Sequence, residues 1–196
     1  MRRKTFDALL TTGGLVLVAI LVIAGGLLTF THHFVDTQVR NQLAPEQIFF
    51  PKTGSAALDE AGVKPYLSKY AGQQLTTGIQ AEAFADHYIA VHLKAIGGGL
   101  TYAQLSTKAQ ADPKNTVLAA QVATVFKGET LRGMLLNAYA FAKMAQIASW
   151  AAIAAYAGAA LMLLLSLFGF LHLRRTDSET ELLPILGARH PAPVEP

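Results

Sequence analysis

Two long apolar runs stand near the ends of this chain, and between them the hydrophobic positions recur in shorter, interrupted patterns. The first run extends from about Ala8 to Phe30, and its centre, Leu15 to Leu28, carries no charged residue. With Gly13, Gly14 and the neighbouring threonines it reaches the roughly 20 residues that cross about 30 Å of hydrocarbon. The second, Met144 to Leu171, is broken only by the mild polarity of Gln146, Ser149 and Ser166. It would make about 42 Å of helix, enough to span with tilt or to project beyond a bilayer. Hydrocarbon offers backbone groups no partner outside their own segment, so both runs are predicted to be helical.

The region between them has its own periodicities. Thr31 to Leu43 is predicted to prolong the first helix, because Phe34, Val35, Val39 and Leu43 recur at near-helical spacing. Pro45 and the stretch Ile48 to Ser55 read as extended chain and turn, and a short helix runs from Pro65 to Tyr70, closed by Gly72. The clearest outer helix is Gly78 to Ile96, with Thr76 and Thr77 as candidate N-caps and Gly97-Gly98-Gly99 as its end. Phe84, Tyr88, Val91 and Ala95 form one stripe on it, and Ala81, Ala85, Ile89, Leu93 and Ile96 a second. So broad an apolar face suits burial inside a bundle.

Thr101 and Gln104 have capping-box spacing for a helix to about Lys108. Asp112-Pro113 reads as another start, cap plus first-turn proline, leading through Val117, Leu118, Val122 and Phe126 until Gly128 interrupts. From Glu129 to about Arg175 nothing forces a stop, so the second span is expected to project outward as one long helix. Gly133, Ala138 and Ala142 suit close packing by neighbouring helices there. The tail, Thr176 to Pro196, has four prolines and four acids and is expected to be disordered.

These patterns define an all-α fold: two transmembrane helices with an extracytoplasmic helical bundle between them. The expected divisions are a cytoplasmic N-terminus 1–7, a span 8–30, an outer helical domain 31–143, a span 144–173 and a cytoplasmic tail 174–196. Orientation follows from the flanking positive charges. Arg2, Arg3 and Lys4 precede the first span and Arg174 and Arg175 follow the second, which puts both ends in the cytoplasm of a plasma membrane. A cleaved signal peptide over residues 1–24, with Val22 and Ala24 before the cut, is the competing reading. The apolar run continues through Leu27 and Leu28, longer than such a segment needs.

Composition agrees. The chain of 196 residues is 52% hydrophobic and 15% charged, against about 25% charged in soluble domains. The absence of cysteine excludes a disulfide framework, a thiolate metal site and a cysteine nucleophile. A net charge of +3, with dispersed basic residues, gives no footprint for nucleic acid.

Candidate chemistry is sparse. A metal site is the alternative drawn from Glu82, Asp86, His87 and His92: the two carboxylates share a helical face with His87 beside them. The two histidines are five apart, about 140° around an α-helix, rather than at chelating i, i+4 spacing. No Gly-x-Ser-x-Gly marks a hydrolase, and the glycines at 97–99 follow a helix rather than open a phosphate-binding one. No cofactor is expected. Neither span carries an ionisable residue at its centre, so this chain alone builds no ion or proton path.

Two features suit partner binding. Lys127-Gly-Glu-Thr-Leu-Arg132-Gly concentrates polarity, with Glu129 and Arg132 able to pair at i, i+3 or to hold a partner. Ala151, Ala155 and Ala159, beside Ala154 and Gly158, form a small-residue face that admits close helix approach. Gly25 and Gly26 give the first span a complementary thin surface. That face serves either pairing of the two spans or contact with another chain.

Tyr70-Ala-Gly-Gln-Gln, Ala90-Val-His-Leu-Lys, Gly97-Gly-Gly-Leu-Thr-Tyr-Ala and Phe126-Lys-Gly-Glu-Thr-Leu-Arg-Gly-Met-Leu-Leu-Asn-Ala-Tyr carry a resemblance. Over roughly residues 8–175 the chain resembles a family of actinobacterial two-span membrane proteins with an extracytoplasmic helical domain. Some relatives carry an aromatic-ring-opening dioxygenase label, but the resemblance supplies no catalytic residues, and the ligand pattern for that chemistry is not present here. It implies a cell-envelope setting in high-GC Gram-positive bacteria. The expected function is therefore a non-enzymatic accessory or scaffold protein of the bilayer. It would bind another envelope or membrane protein, or a second copy, through Glu129, Arg132, Ala151, Ala155 and Ala159. The alternative is an extracytoplasmic ligand-binding protein or metal-dependent enzyme.

Overall fold

The computed structural model of the protein describes residues 3–175, and the tail beyond Arg175 lies outside them. The described residues are mostly helical and contain no strand; an isolated antiparallel bridge pairs Phe49 with Gln74. Two helices are long and apolar enough to cross a membrane: α1, Arg3–Leu43, and the last helix, Thr116–Arg175. Their most apolar stretches reach mean hydropathies of 2.5 and 2.1. Between them lie α2 (Ala56–Asp59), α3 (Lys64–Leu67), α4 (Gly78–Phe84), α5 (Ala90–Ile96) and α6 (Tyr102–Ala111), so the last helix is α7. The chain divides into two compact units, one containing residues up to Leu28 and from Trp150, the other Thr29–Ser149.

In the first unit, α1 and α7 run antiparallel. Thr11 faces Gly169, Gly14 faces Ser166, Leu21 reaches Gly158 and Gly25 faces Tyr156, so each step up α1 is matched by a step down α7. The sheltered positions include Thr11, Gly14, Val18, Leu21, Gly25 and Leu28 on α1 and Ala152, Ala155, Ala159, Met162, Ser166 and Gly169 on α7, with Ala24 and Gly158 beside them. Both series alternate three and four residues, the spacing that keeps one seam of a helix on its neighbour. Small residues dominate it and let the two helix backbones approach closely.

In the second unit, α1 continues to Leu43, as its spacing predicts, and stops where Pro45 enters a 3-10 turn, Ala44–Glu46. Gln47, at φ 51°, ends that turn in the left-handed region. Extended chain follows, held by Phe50 N–H donating to Gln73 O at 2.9 Å and Leu75 N–H donating to Ile48 O at 2.8 Å. Between these strand-like pieces lie α2, which the sequence patterns did not suggest, and α3, which a 3-10 turn over Ser68–Tyr70 prolongs to the glycine at 72.

The predicted helix at 78–96 forms, in three parts: α4, a π-helical turn over Ala85–Ile89, and α5. Thr77 caps it in a capping box with Gln80, whose side-chain oxygen accepts from the backbone N–H groups of Thr76 and Thr77. Its apolar face enters a core with Val39 and Leu43 of α1, Phe50, Leu67 and Leu75 of the intervening chain, and Leu135 of α7. The ring of Phe50 meets Phe84 edge-on, centroids 5.4 Å apart. The predicted capping box at Thr101 and Gln104 also forms, and α6 runs three residues past Lys108, to Ala111.

Two expectations are corrected. Asp112-Pro113 does not start a helix: Asp112 ends α6, donating its N–H to the carbonyls of Lys108 and Ala109, and Pro113 lies in the following turn. Asn115 caps α7 instead, its Oδ1 accepting from Leu118 N–H at 3.0 Å. Nor does Gly128 interrupt α7, which is continuous from Thr116. A glycine stands there because a Cβ would strike the side chain of Leu93.

Candidate functional site

The N-terminal part of α7 meets the 78–96 helix through charge and close contact. Arg132 donates to Asp86 Oδ1 at 2.8 Å and approaches Glu129 at 3.5 Å. The bond to Asp86 holds the guanidinium above its ordinary pKa; burial opposes the shift and Glu129 reinforces it. The expected pairing of Glu129 with Arg132 is therefore present, but the shorter partner is Asp86, a residue first considered as a metal ligand. Arg132 thereby ties α7 to the π-helical turn within one chain. Its Nε is shut off from solvent without a hydrogen-bond partner.

Nearby, Tyr139 lies within the hydrogen-bonding and electrostatic influence of Glu82. That hydrogen bond, then the charge of the carboxylate, pushes the phenol up from its ordinary pKa. Below it, Gly78 makes the closest approach to α7. A Cβ there would collide with Ala142 and lie 3.2 Å from both Ala138 O and Tyr139 Cα. The small residues expected at 138 and 142 thus receive a helix N-terminus, whereas Gly133 has open space around it.

The alternative ligand set does not come together. His87 stacks on Tyr66, ring centroids 3.5 Å apart and planes parallel within 1°. His92 Nδ1 lies 2.7 Å from Tyr88 O, and its Nε2 is 3.9 Å from Glu60. Glu82 goes to Tyr139 and Asp86 to Arg132. The extra residue in the π-helical turn changes the rotation between His87 and His92, yet each ring keeps a separate neighbour. Among the described residues no three His, Asp or Glu side chains are placed to hold a metal ion.

The small-residue face is distributed differently from its sequence spacing. Ala159 is buried and Ala155 half-buried in the seam against α1, while Ala151 points out and Ala152 takes the buried position beside it. An every-fourth-residue row drifts around an α-helix, whereas the three–four alternation stays on one side. Ala155 and Ala159 therefore lie on the side of α7 that faces α1.

Two other surfaces on the second unit remain open. The first is a groove of about 560 Å³ between α1 and α7. Phe34, Val35, Val39 and Leu43 line it from α1, and Leu131, Met134, Leu135 and Phe141 from α7. Gln38, Gln42, Glu46 and Asn137 provide its polar edge, and no basic side chain is among the described residues that line it. The second is a face of α7 turned away from that groove, where Phe126, Gly133, Ala140 and Ile147 recur every seventh residue with Met144 between the last two. Phe126 is 54%, Met144 54% and Ile147 62% exposed. The row covers three heptads, about six turns, over which a seven-residue repeat drifts by about 60° around an α-helix. A smaller cavity of about 290 Å³ gathers His32, Asp36, Tyr139 and Lys143.

No family model, curated protein or solved structure matches the chain.

Proposed function

We propose that this is a two-span membrane protein with both ends cytoplasmic, acting without catalysis as an accessory or scaffold for another membrane protein. The observation that carries the reading is the exposed α7 face of Phe126, Gly133, Ala140, Met144 and Ile147. Phe126 packs on Tyr102 of α6, ring centroids 5.5 Å apart, but the rest of the row is exposed, and apolar and small residues repeating on an exposed side of a helix are what a partner helix covers. On this reading the partner surface lies on that face. Arg132 and Glu129 set the α7 position from within, and Ala155 and Ala159 hold the spans together. A metal-dependent enzyme would need Glu82, Asp86, His87 and His92 to converge, and their separate partners count against it. The cell-envelope setting we propose, in an actinobacterium, rests on the sequence resemblance.

Gly133 supplies the test. A Cβ at that position meets nothing within 4 Å and the position is exposed, so Gly133→Leu is expected to leave the chain's own packing intact, with unchanged thermal unfolding as the check. Full-length tagged protein, extracted in mild detergent, is expected to bring down a stoichiometric membrane partner or a second copy. Gly133→Leu should release it while expression stays normal. Recovery of the same complex from the variant, or a wild-type protein that comes down alone as a monomer, would overturn the reading.

A further inference from the structure

The groove between α1 and α7 is a different surface from the partner face, and its composition is that of a ligand site rather than of a helix contact. Its volume of about 560 Å³ falls within the range of small-molecule pockets, which combine apolar walls with a few convergent polar groups. Its lower end adjoins the membrane exit on both helices. On α1, Phe34 stacks on Phe30, the last residue of the apolar run, with centroids 6.1 Å apart. On α7, Phe141 lies one helical turn before the second run begins at Met144. An apolar path therefore leads from the lipid-facing surface of α1 into the groove.

The rim of the groove is exposed as well as apolar, with Phe34 at 53%, Met134 at 63% and Phe141 at 55%, while the core residues Val39, Leu43 and Leu135 form its floor. Covering the rim removes hydrocarbon from water, a gain that a chain inside the bilayer cannot obtain. From Phe34 to Leu43 the α1 wall rises about 14 Å. One leaflet of hydrocarbon is roughly 15 Å deep, half of a ~30 Å core. The wall thus matches one extended lipid chain in length. At the polar edge, Gln38, Gln42 and Asn137 offer amide donors and acceptors and Glu46 offers a carboxylate. A hydroxyl-bearing uncharged head can donate to these groups, whereas an anionic head finds no cation and meets Glu46.

We propose that the groove formed by Phe34, Val39, Leu43, Met134, Leu135 and Phe141 binds one hydrocarbon chain of an amphiphile drawn from the adjoining leaflet, its uncharged hydroxyl-bearing head lying along Gln38, Gln42 and Glu46. The test uses the full chain in phosphatidylcholine vesicles, without partner proteins. The probe is a monoacylglycerol carrying a photoactivatable diazirine on a sixteen-carbon chain. Light should attach it to peptides covering 34–46 and 131–141 as well as to the spans. Met134→Glu changes an exposed wall residue; it should reduce labelling at the two groove segments at least fivefold and leave span labelling unchanged. The matching diazirine fatty acid should label the groove at least fivefold less than the monoacylglycerol. Labelling confined to the spans, groove labelling indifferent to Met134→Glu, or equal labelling by the fatty acid would overturn the proposal. Failure of the partner reading appears in the Gly133→Leu extraction and leaves this result untouched.

Discussion

Arg132 on α7 donates to Asp86 in the π-helical turn across 2.8 Å, joining residues 46 positions apart in the chain. Both side chains are about one-third exposed, so solvent screens the pair and its worth is on the order of 1 kcal/mol. Arg132→Met should destabilise the second unit by about that amount, most visibly as faster amide hydrogen exchange over 85–89. Asp86→Asn keeps an acceptor and should cost less than Asp86→Ala. Equal protection in wild type and Arg132→Met would show that the pair does not hold the turn.

The glycines of this unit divide by what surrounds them. At Gly78 a Cβ would face Ala142 and two backbone atoms of α7, none of which can rotate away, so Gly78→Ala should lose about 1–3 kcal/mol. Gly128→Ala presses on Leu93, a side chain with some freedom, and should lose less. Gly133→Ala meets open space in a helix interior and should gain about 0.5–1 kcal/mol. Thermal unfolding of the three variants in one detergent should order them 133, 128, 78 from most to least stable. A destabilised Gly133→Ala would mean that something already covers that face.

Much of this architecture is legible in the sequence, and the failures have identifiable causes. The two long runs, the Thr101–Gln104 box and the helix at 78–96 follow from periodicity and capping chemistry, which act over a few residues. Gly128 was misread because glycine's low helix propensity is a local cost, while the contact it permits with Leu93 is tertiary. Asp112-Pro113 carries a start signal that Asn115 also carries, and the choice between them depends on where α6 ends. Arg132 was recognisable as a polar anchor beside Glu129. Its nearer partner was hidden by sequence distance. The groove was out of reach for the same reason, since its two walls come from opposite ends of the chain.

Tyr139 gives the second unit a pH dependence of definite sign. Its phenol is held above the ordinary value by the Glu82 carboxylate, so the folded state keeps the proton where the unfolded chain has released it. The resulting stability is present below the ordinary tyrosine pKa of about 10 and is lost as pH rises through the higher folded value. Ultraviolet difference titration of wild type against Tyr139→Phe should isolate a component that ionises above the ordinary tyrosine value. Glu82→Gln should bring it down towards the ordinary value, and Tyr139→Phe should abolish that component. A late component that survives Tyr139→Phe would assign it to another residue.

The seam between the spans sets the last expectation. Gly25 faces Tyr156 so closely that a Cβ would sit 2.7 Å from the ring, and Gly158 lets Leu21 approach to 3.5 Å of where its own Cβ would be. The chain has no cysteine, so a Leu21→Cys, Gly158→Cys pair can be joined without background by a short thiol-reactive cross-linker. Cross-linking in membranes should give a monomeric, faster-migrating product. Adding Gly25→Leu, which keeps the segment apolar and able to insert, should reduce that product severalfold; a further Tyr156→Ala should restore part of it by vacating the space the new side chain needs. A dimeric product would instead place the seam between two copies, and an unchanged yield in Gly25→Leu would mean that the close approach at Tyr156 does not govern the pairing of the spans.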